Sequence, residues 1–144
     1  MIRADSIYIL FLMILMHIID DFVLQNKFCY MKQESWWVEN YPDDLYQSDY
    51  KVALFLHSLE NAIMVFIPMI IYGFLINPVC MNDWYVIMIT TLLLFAVTYS
   101  HYAIDDMKAN QYKISLLGDQ IAHILIIILN WFILTGVIGF VSSV

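Results

Sequence analysis

Four apolar segments, at residues 6–25, 52–76, 84–107 and 114–141, constrain this chain more than any other feature. At 1.5 Å per residue each can cross a hydrocarbon layer of about 30 Å, and backbone buried in hydrocarbon must satisfy its own polar groups, which makes each segment a helix. The expected fold is therefore all-α: an integral membrane four-helix bundle of up-down topology, one domain over residues 1–144. Composition agrees. Of 144 residues, 62% are hydrophobic and 13% charged, which excludes a soluble globule. Six Lys and Arg stand against thirteen Asp and Glu, so no basic surface exists to neutralise phosphates, and nucleic acid is excluded as a partner. Cys29 and Cys80 flank one span and carry no disulfide signal. The first segment is too long for a signal peptide and ends in acids with no small-residue cleavage site after it, so it is expected to stay attached. Pro68 should kink the second span, and Asn77-Pro78 should end it as a turn.

Lys27, Lys32, Lys51, Lys108 and Lys113 fall in the connections after the first and third spans, and only Arg3 lies on the other side. The positive-inside rule then puts both termini outside an inner (cytoplasmic) membrane, with 26–50 as a cytoplasmic loop. That loop carries Trp36, Trp37, Tyr41, Tyr46 and Tyr50, rings that favour the headgroup layer, so it is expected to lie on the bilayer or to dock a protein partner.

The chain has four histidines, and each sits within a span four residues from a polar partner: His17 with Asp21, His57 with Asn61, His101 with Asp105, and His123 with Asp119. Four residues is just over one helical turn, so each pair shares a face. In an up-down bundle the late parts of spans one and three and the early parts of spans two and four lie at one membrane face, so the four rings can share a layer. Asp20, Asp21, Glu60, Asp105, Asp106 and Asp119 add six acids near that layer, with no Lys or Arg inside the spans to offset them. Uncompensated carboxylates there are costly, and a divalent cation is the economical counter-charge. Mixed imidazole and carboxylate ligands suit zinc first, then manganese or iron, as one ion or two.

The runs His17-Ile-Ile-Asp-Asp21-Phe-Val-Leu-Gln25, His101-Tyr-Ala-Ile-Asp105-Asp-Met-Lys108 and Asp119-Gln-Ile-Ala-His123, with the lone His57 between them, resemble the bacterial and phage membrane family designated domain of unknown function 3307. The match extends over nearly the whole chain, apart from the Trp36-Trp37 loop. More distantly the arrangement is similar to membrane-associated metal-dependent hydrolases, an analogy of fold.

These observations lead to an expected metal-dependent hydrolase in the cytoplasmic leaflet, acting on a phosphoester of a lipid or a small anionic molecule. His17, Asp21, His57, His101, Asp105, Asp119 and His123 are the expected metal ligands, and Glu60 the catalytic general base. Gln25, Lys27, Lys108 and Gln120 are the expected substrate contacts. Two alternatives stand beside it: a metal-ion transporter or sensor, and a small membrane regulatory protein, such as a phage accessory factor, with a structural metal.

Overall fold

The computed structural model describes residues 6–76 and 78–141; Arg3 and Asn77, which entered the readings above, lie outside them. Among the described residues the chain is helical throughout its regular structure. Helix α1 (Ser6–Ile19) continues into a π-helical turn (Asp20–Leu24), and the following connection folds into α2 (Phe28–Met31), α3 (Glu34–Asn40) and a 3-10 turn (Asp44–Tyr46). Then come α4 (Asp49–Ile76), the short α5 (Pro78–Met81), α6 (Trp84–Ala109) and α7 (Leu116–Val141). Four of these stretches are long and apolar enough to cross a membrane. Helix α4 begins three residues before the expected span and runs through Pro68 without interruption.

The long helices pack in a ring, with α1 against α4 and α7, and α6 against α4 and α7. One end of the ring is a dry core of Leu10, Met13, Ala62, Val65, Phe66, Met69, Val97, Ile127, Trp131 and Leu134. Trp131 donates from Nε1 to the carbonyl of Ser6 at 2.8 Å, stapling α7 to the start of α1. Below it Cys80, Met81 and Val86 close the end against Val137 and Val141. Met81 lies directly on Gly73, where an added Cβ would push its side chain aside. Phe66 is fully buried at the centre of this layer, and Phe66→Ala should cost about 3 kcal/mol through the cavity it leaves. Thermal unfolding of the purified protein measures this. The outer faces of the ring, among them Phe11, Leu15, Ile63, Phe95, Leu125 and Phe132, are exposed and apolar.

The 26–50 connection is more ordered than an expected loop. Asn26 takes a left-handed backbone (φ 42°), tolerable for Asn, and turns the chain out of the π-helical turn. Trp37 is buried, donates to the carbonyl of Met31 at 2.6 Å, and contacts Trp36 and Tyr41, which in turn meets Tyr46. Asn110, just past α6, holds the α2–α3 junction from both sides: its Oδ1 accepts from the Glu34 amide at 2.8 Å and its Nδ2 donates to the carbonyl of Lys32 at 3.2 Å. This latch turns Lys32 inward.

Candidate metal centre

The polar layer sits on the dry core, at the other end of the ring. Helix α1 brings His17, its π-helical turn Asp20 and Asp21, α4 His57 and Asn61, α6 His101 and Asp105, and α7 Asp119 and His123; all nine side chains are buried or nearly so. The π-helical turn matters here. The Gln25 amide donates to the carbonyl of Asp20 at 2.9 Å, a five-residue step that widens the helix. Both acids of the doublet then face the centre, with Asp20 bonded by Asn61 and Asp21 beside His57 and His101.

Four donor atoms from three helical segments cluster around the His57–His101 pair. His57 Nε2 and His101 Nε2 are 3.2 Å apart; Asp105 Oδ2 is 3.6 Å from the first and 3.7 Å from the second; Asp21 Oδ1 is 3.4 Å and 3.7 Å from the same two nitrogens. A tetrahedral zinc site with bonds of about 2.0–2.1 Å has ligand-to-ligand edges of about 3.3 Å, so these five edges have the right size. Asp21 Oδ1 is buried there with no hydrogen bond. Buried carboxylate oxygens are nearly always paired, and one left facing two imidazole nitrogens is what a ligand set requires.

The other three expected ligands lie alongside. His123 Nε2 is 3.2 Å from Asp105 Oδ1 and 3.4 Å from Asp119 Oδ1, and His17 Nε2 is 3.8 Å from Asp21 Oδ2. Every one of the seven belongs to at least one set of three whose donor atoms lie within 4.8 Å of one another. Three of the four i,i+4 pairs face each other as the spacing implied. The fourth does not: Asn61 turns away from His57, donating from Nδ2 to Asp20 Oδ2 at 2.8 Å and setting Oδ1 3.3 Å from His17 Nδ1. The Asn61 Nδ2 is also 3.2 Å from His17 Nδ1, so a ligand at Nε2 requires Nδ1–H to be given to Oδ1 rather than Nδ1 to accept from Nδ2, the usual task of an outer partner to a metal-binding histidine.

One premise of the sequence reading is overturned. The acids are not without cations. Lys32, assigned above to the loop as a topology residue, is buried with Nζ 2.5 Å from Asp105 Oδ2, and Lys108 Nζ is 2.5 Å from Asp119 Oδ2. Two of the four central carboxylates thus have an ammonium partner, while Asp20 and Asp21 face only imidazoles and amides among the described residues.

A cleft of about 470 Å³ opens over Asp21. Gln25, Lys108 and Gln120, three of the expected substrate contacts, line it together with Lys32, Phe22 and Tyr112. Gln120 donates to Asp21 Oδ2 at 3.0 Å and Asp119 Oδ2 at 3.1 Å, while Gln25 donates to the backbone carbonyl of Asp21 at 2.7 Å. Tyr112 stands exposed at the rim with a left-handed backbone (φ 53°), a conformation that costs a bulky residue about 1 kcal/mol or more and recurs beside functional clefts. The structure does not bring Lys27 and Glu60 to this cleft. They lie in an adjoining recess of about 240 Å³, which shares Gln25 with the cleft and is otherwise lined by Leu24, Asn26, Phe28 and Met31. In Glu60's place the centre holds Asp20 and Asn61, on the next face of each helix. Asp20 is three residues from His17, a spacing as helical as four, but only the widened turn puts both acids of the doublet inside.

Neither a curated protein nor a solved structure is significantly similar to the chain. A family model does match, over residues 9–143, a range that takes in all four histidines, their aspartates and the 26–50 connection. The chain belongs to the family described as protein of unknown function DUF3307.

Proposed function

We propose that this protein is a metal-dependent hydrolase of the cytoplasmic membrane, with four membrane-spanning helices in up-down order, both termini external, and its site in the cytoplasmic leaflet. The observation that carries the reading is the cluster of Asp21, His57, His101 and Asp105, in which the two imidazole nitrogens are 3.2 Å apart and each carboxylate oxygen is 3.4 to 3.7 Å from both, beside an open cleft. The exposed apolar faces of the helices support the bilayer setting, since soluble proteins rarely expose contiguous apolar surface on this scale. Exposed Tyr30, Val38 and Leu45 on the 26–50 connection suit contact with the headgroup layer.

A divalent ion in the set would supply Lewis acidity, lowering the pKa of water toward about 7 and offsetting charge on a phosphate. The chain's own groups do the rest. Lys108, a quarter exposed at the cleft, attracts an anion, and Gln120 holds Asp21 in place while leaving Oδ1 for the ion. The apolar rim of Phe22, Leu116 and Tyr112 accommodates an acyl chain, which favours a phosphoester of a lipid over a free small molecule.

The test is metal analysis of the detergent-purified chain, followed by a screen of lipid phosphates, phosphodiesters and nucleotides with zinc or manganese. Retained metal with metal-dependent turnover is the expected result. Retained metal without turnover moves the reading to a structural metal in a regulatory protein, and ion flux in liposomes without turnover moves it to a transporter. No metal at all leaves the centre as a charge network tied by Lys32 and Lys108. Within the hydrolase reading, Glu60→Gln should leave metal content and turnover within about twofold of wild type, because Glu60 opens on the recess beside Lys27 rather than on the cleft. An inactive, fully metallated Glu60→Gln protein would restore it as the base.

A further inference from the structure

The four-donor set uses one oxygen of Asp21 and one of Asp105. The other oxygen of each points to a second group of ligands. Asp105 Oδ1 is 3.2 Å from His123 Nε2, and Asp21 Oδ2 faces His17 Nε2 at 3.8 Å. Asp119 Oδ1 completes this group 3.4 Å from His123 Nε2. Two of its atoms, His17 Nε2 and Asp119 Oδ1, are buried without a hydrogen-bond partner. An ion in the first set alone leaves both unsatisfied. The rings of His101 and His123, one from each group, stack with centroids 4.1 Å apart, so the two groups are immediate neighbours. A cavity of about 10 Å³, room for a single water, lies between His17, His101 and His123.

We propose that the centre is built for two ions, with Asp21 and Asp105 as bridging carboxylates, His57 and His101 terminal on the first ion, and His17, His123 and Asp119 terminal on the second. This deepens the hydrolase reading and rests on it for the substrate. Charge gives the substrate class. Counting Asp20, Asp21, Asp105 and Asp119 as ionised, Lys32 and Lys108 as charged and the four imidazoles as neutral, as metal ligation requires, one divalent ion neutralises the centre. A second adds two positive charges, which a phosphate dianion in the cleft beside Lys108 and Gln120 would balance. Two ions about 3.5 to 4 Å apart are the arrangement that clamps both the attacking and leaving oxygens of a phosphoryl transfer. Ion binding at the second position and phosphate binding are therefore coupled, each strengthening the other.

The experiment is manganese titration of the whole chain in detergent, read by metal content and by electron paramagnetic resonance. Two ions per chain with a spin-coupled spectrum are expected, falling to one uncoupled ion in His123→Asn. The wild-type spectrum is decisive even if that variant fails to fold. One ion per chain, or two without coupling, overturns the two-ion centre and leaves the hydrolase reading standing; no ion overturns both. Adding inorganic phosphate or a short-chain phosphatidate should tighten the second ion about tenfold. A response to both assigns the phosphate group itself as the ligand, and a response to phosphatidate alone assigns the lipid. No response to either overturns the substrate assignment.

Discussion

Asp105→Asn should destabilise the protein by about 3–5 kcal/mol and empty the centre of metal in one step. Asp105 is fully buried, accepts Lys32 on Oδ2 at 2.5 Å, and has Oδ1 3.2 Å from His123. An amide keeps the shape but removes the charge, leaving the Lys32 ammonium buried with no counter-ion, and breaking a buried pair from one side is what makes such changes severe. The neighbouring acid is the control. Among the described residues the Asp106 side chain accepts from Asn110 and Gln111 near the end of α6, and an amide keeps Oδ1 as the acceptor for Asn110, so Asp106→Asn should change stability by about 0.5 kcal/mol. Denaturation in mixed micelles with metal analysis on the same samples compares the two. Equal effects at 105 and 106 would remove Asp105 from the heart of the site.

Lys32→Met should cost as much in the absence of metal, for the converse reason: it strands the Asp105 carboxylate. Its signature is that metal repairs it. A ligand that binds only the folded state stabilises by about 2.7 kcal/mol at a hundred times its dissociation constant, and an ion that also takes over the missing counter-charge should stabilise the variant more than the wild type. Unfolding midpoints with and without manganese, for both proteins, measure the difference. If metal raises the wild type and the variant equally, Lys32 plays no part in compensating the ligand set. If metal raises neither, the carboxylates are balanced by lysines alone and the ion is superfluous.

The latch that seats Lys32 predicts a smaller effect of the same sign. Asn110→Ala loses the bonds to the Glu34 amide, the Lys32 carbonyl and Asp106 Oδ1, at about 1 kcal/mol each, and should loosen the 26–50 connection before the helices. Faster hydrogen exchange at residues 28–40, with the long helices unchanged, is the expected pattern.

What was legible from the chain alone follows from local rules. Apolar runs of more than eighteen residues specify helices whatever their neighbours, so the four long helices fall within a few residues of the segments read from hydropathy. The His-x-x-x-Asp spacings of α1, α6 and α7 are a property of helix periodicity, and those pairs face each other. Three decisions belong to the tertiary structure. The π-helical turn at Asp20–Leu24 is one extra residue in a helical repeat, invisible to a period of 3.6, yet it turns both acids inward and makes Asp20 the partner of Asn61. The entry of Lys32 depends on a hydrogen-bond latch from Asn110, seventy-eight residues away, so a lysine that reads as a loop cation becomes the counter-ion of the centre. Glu60 and Asn61 differ by one position, about 100° around α4, and only the packing of α1 against α4 decides that Asn61 faces the histidines while Glu60 opens on the recess beside Lys27. Periodicity places residues on a face of their own helix; which face meets which neighbour is set by packing between helices, and sequence spacing does not encode it.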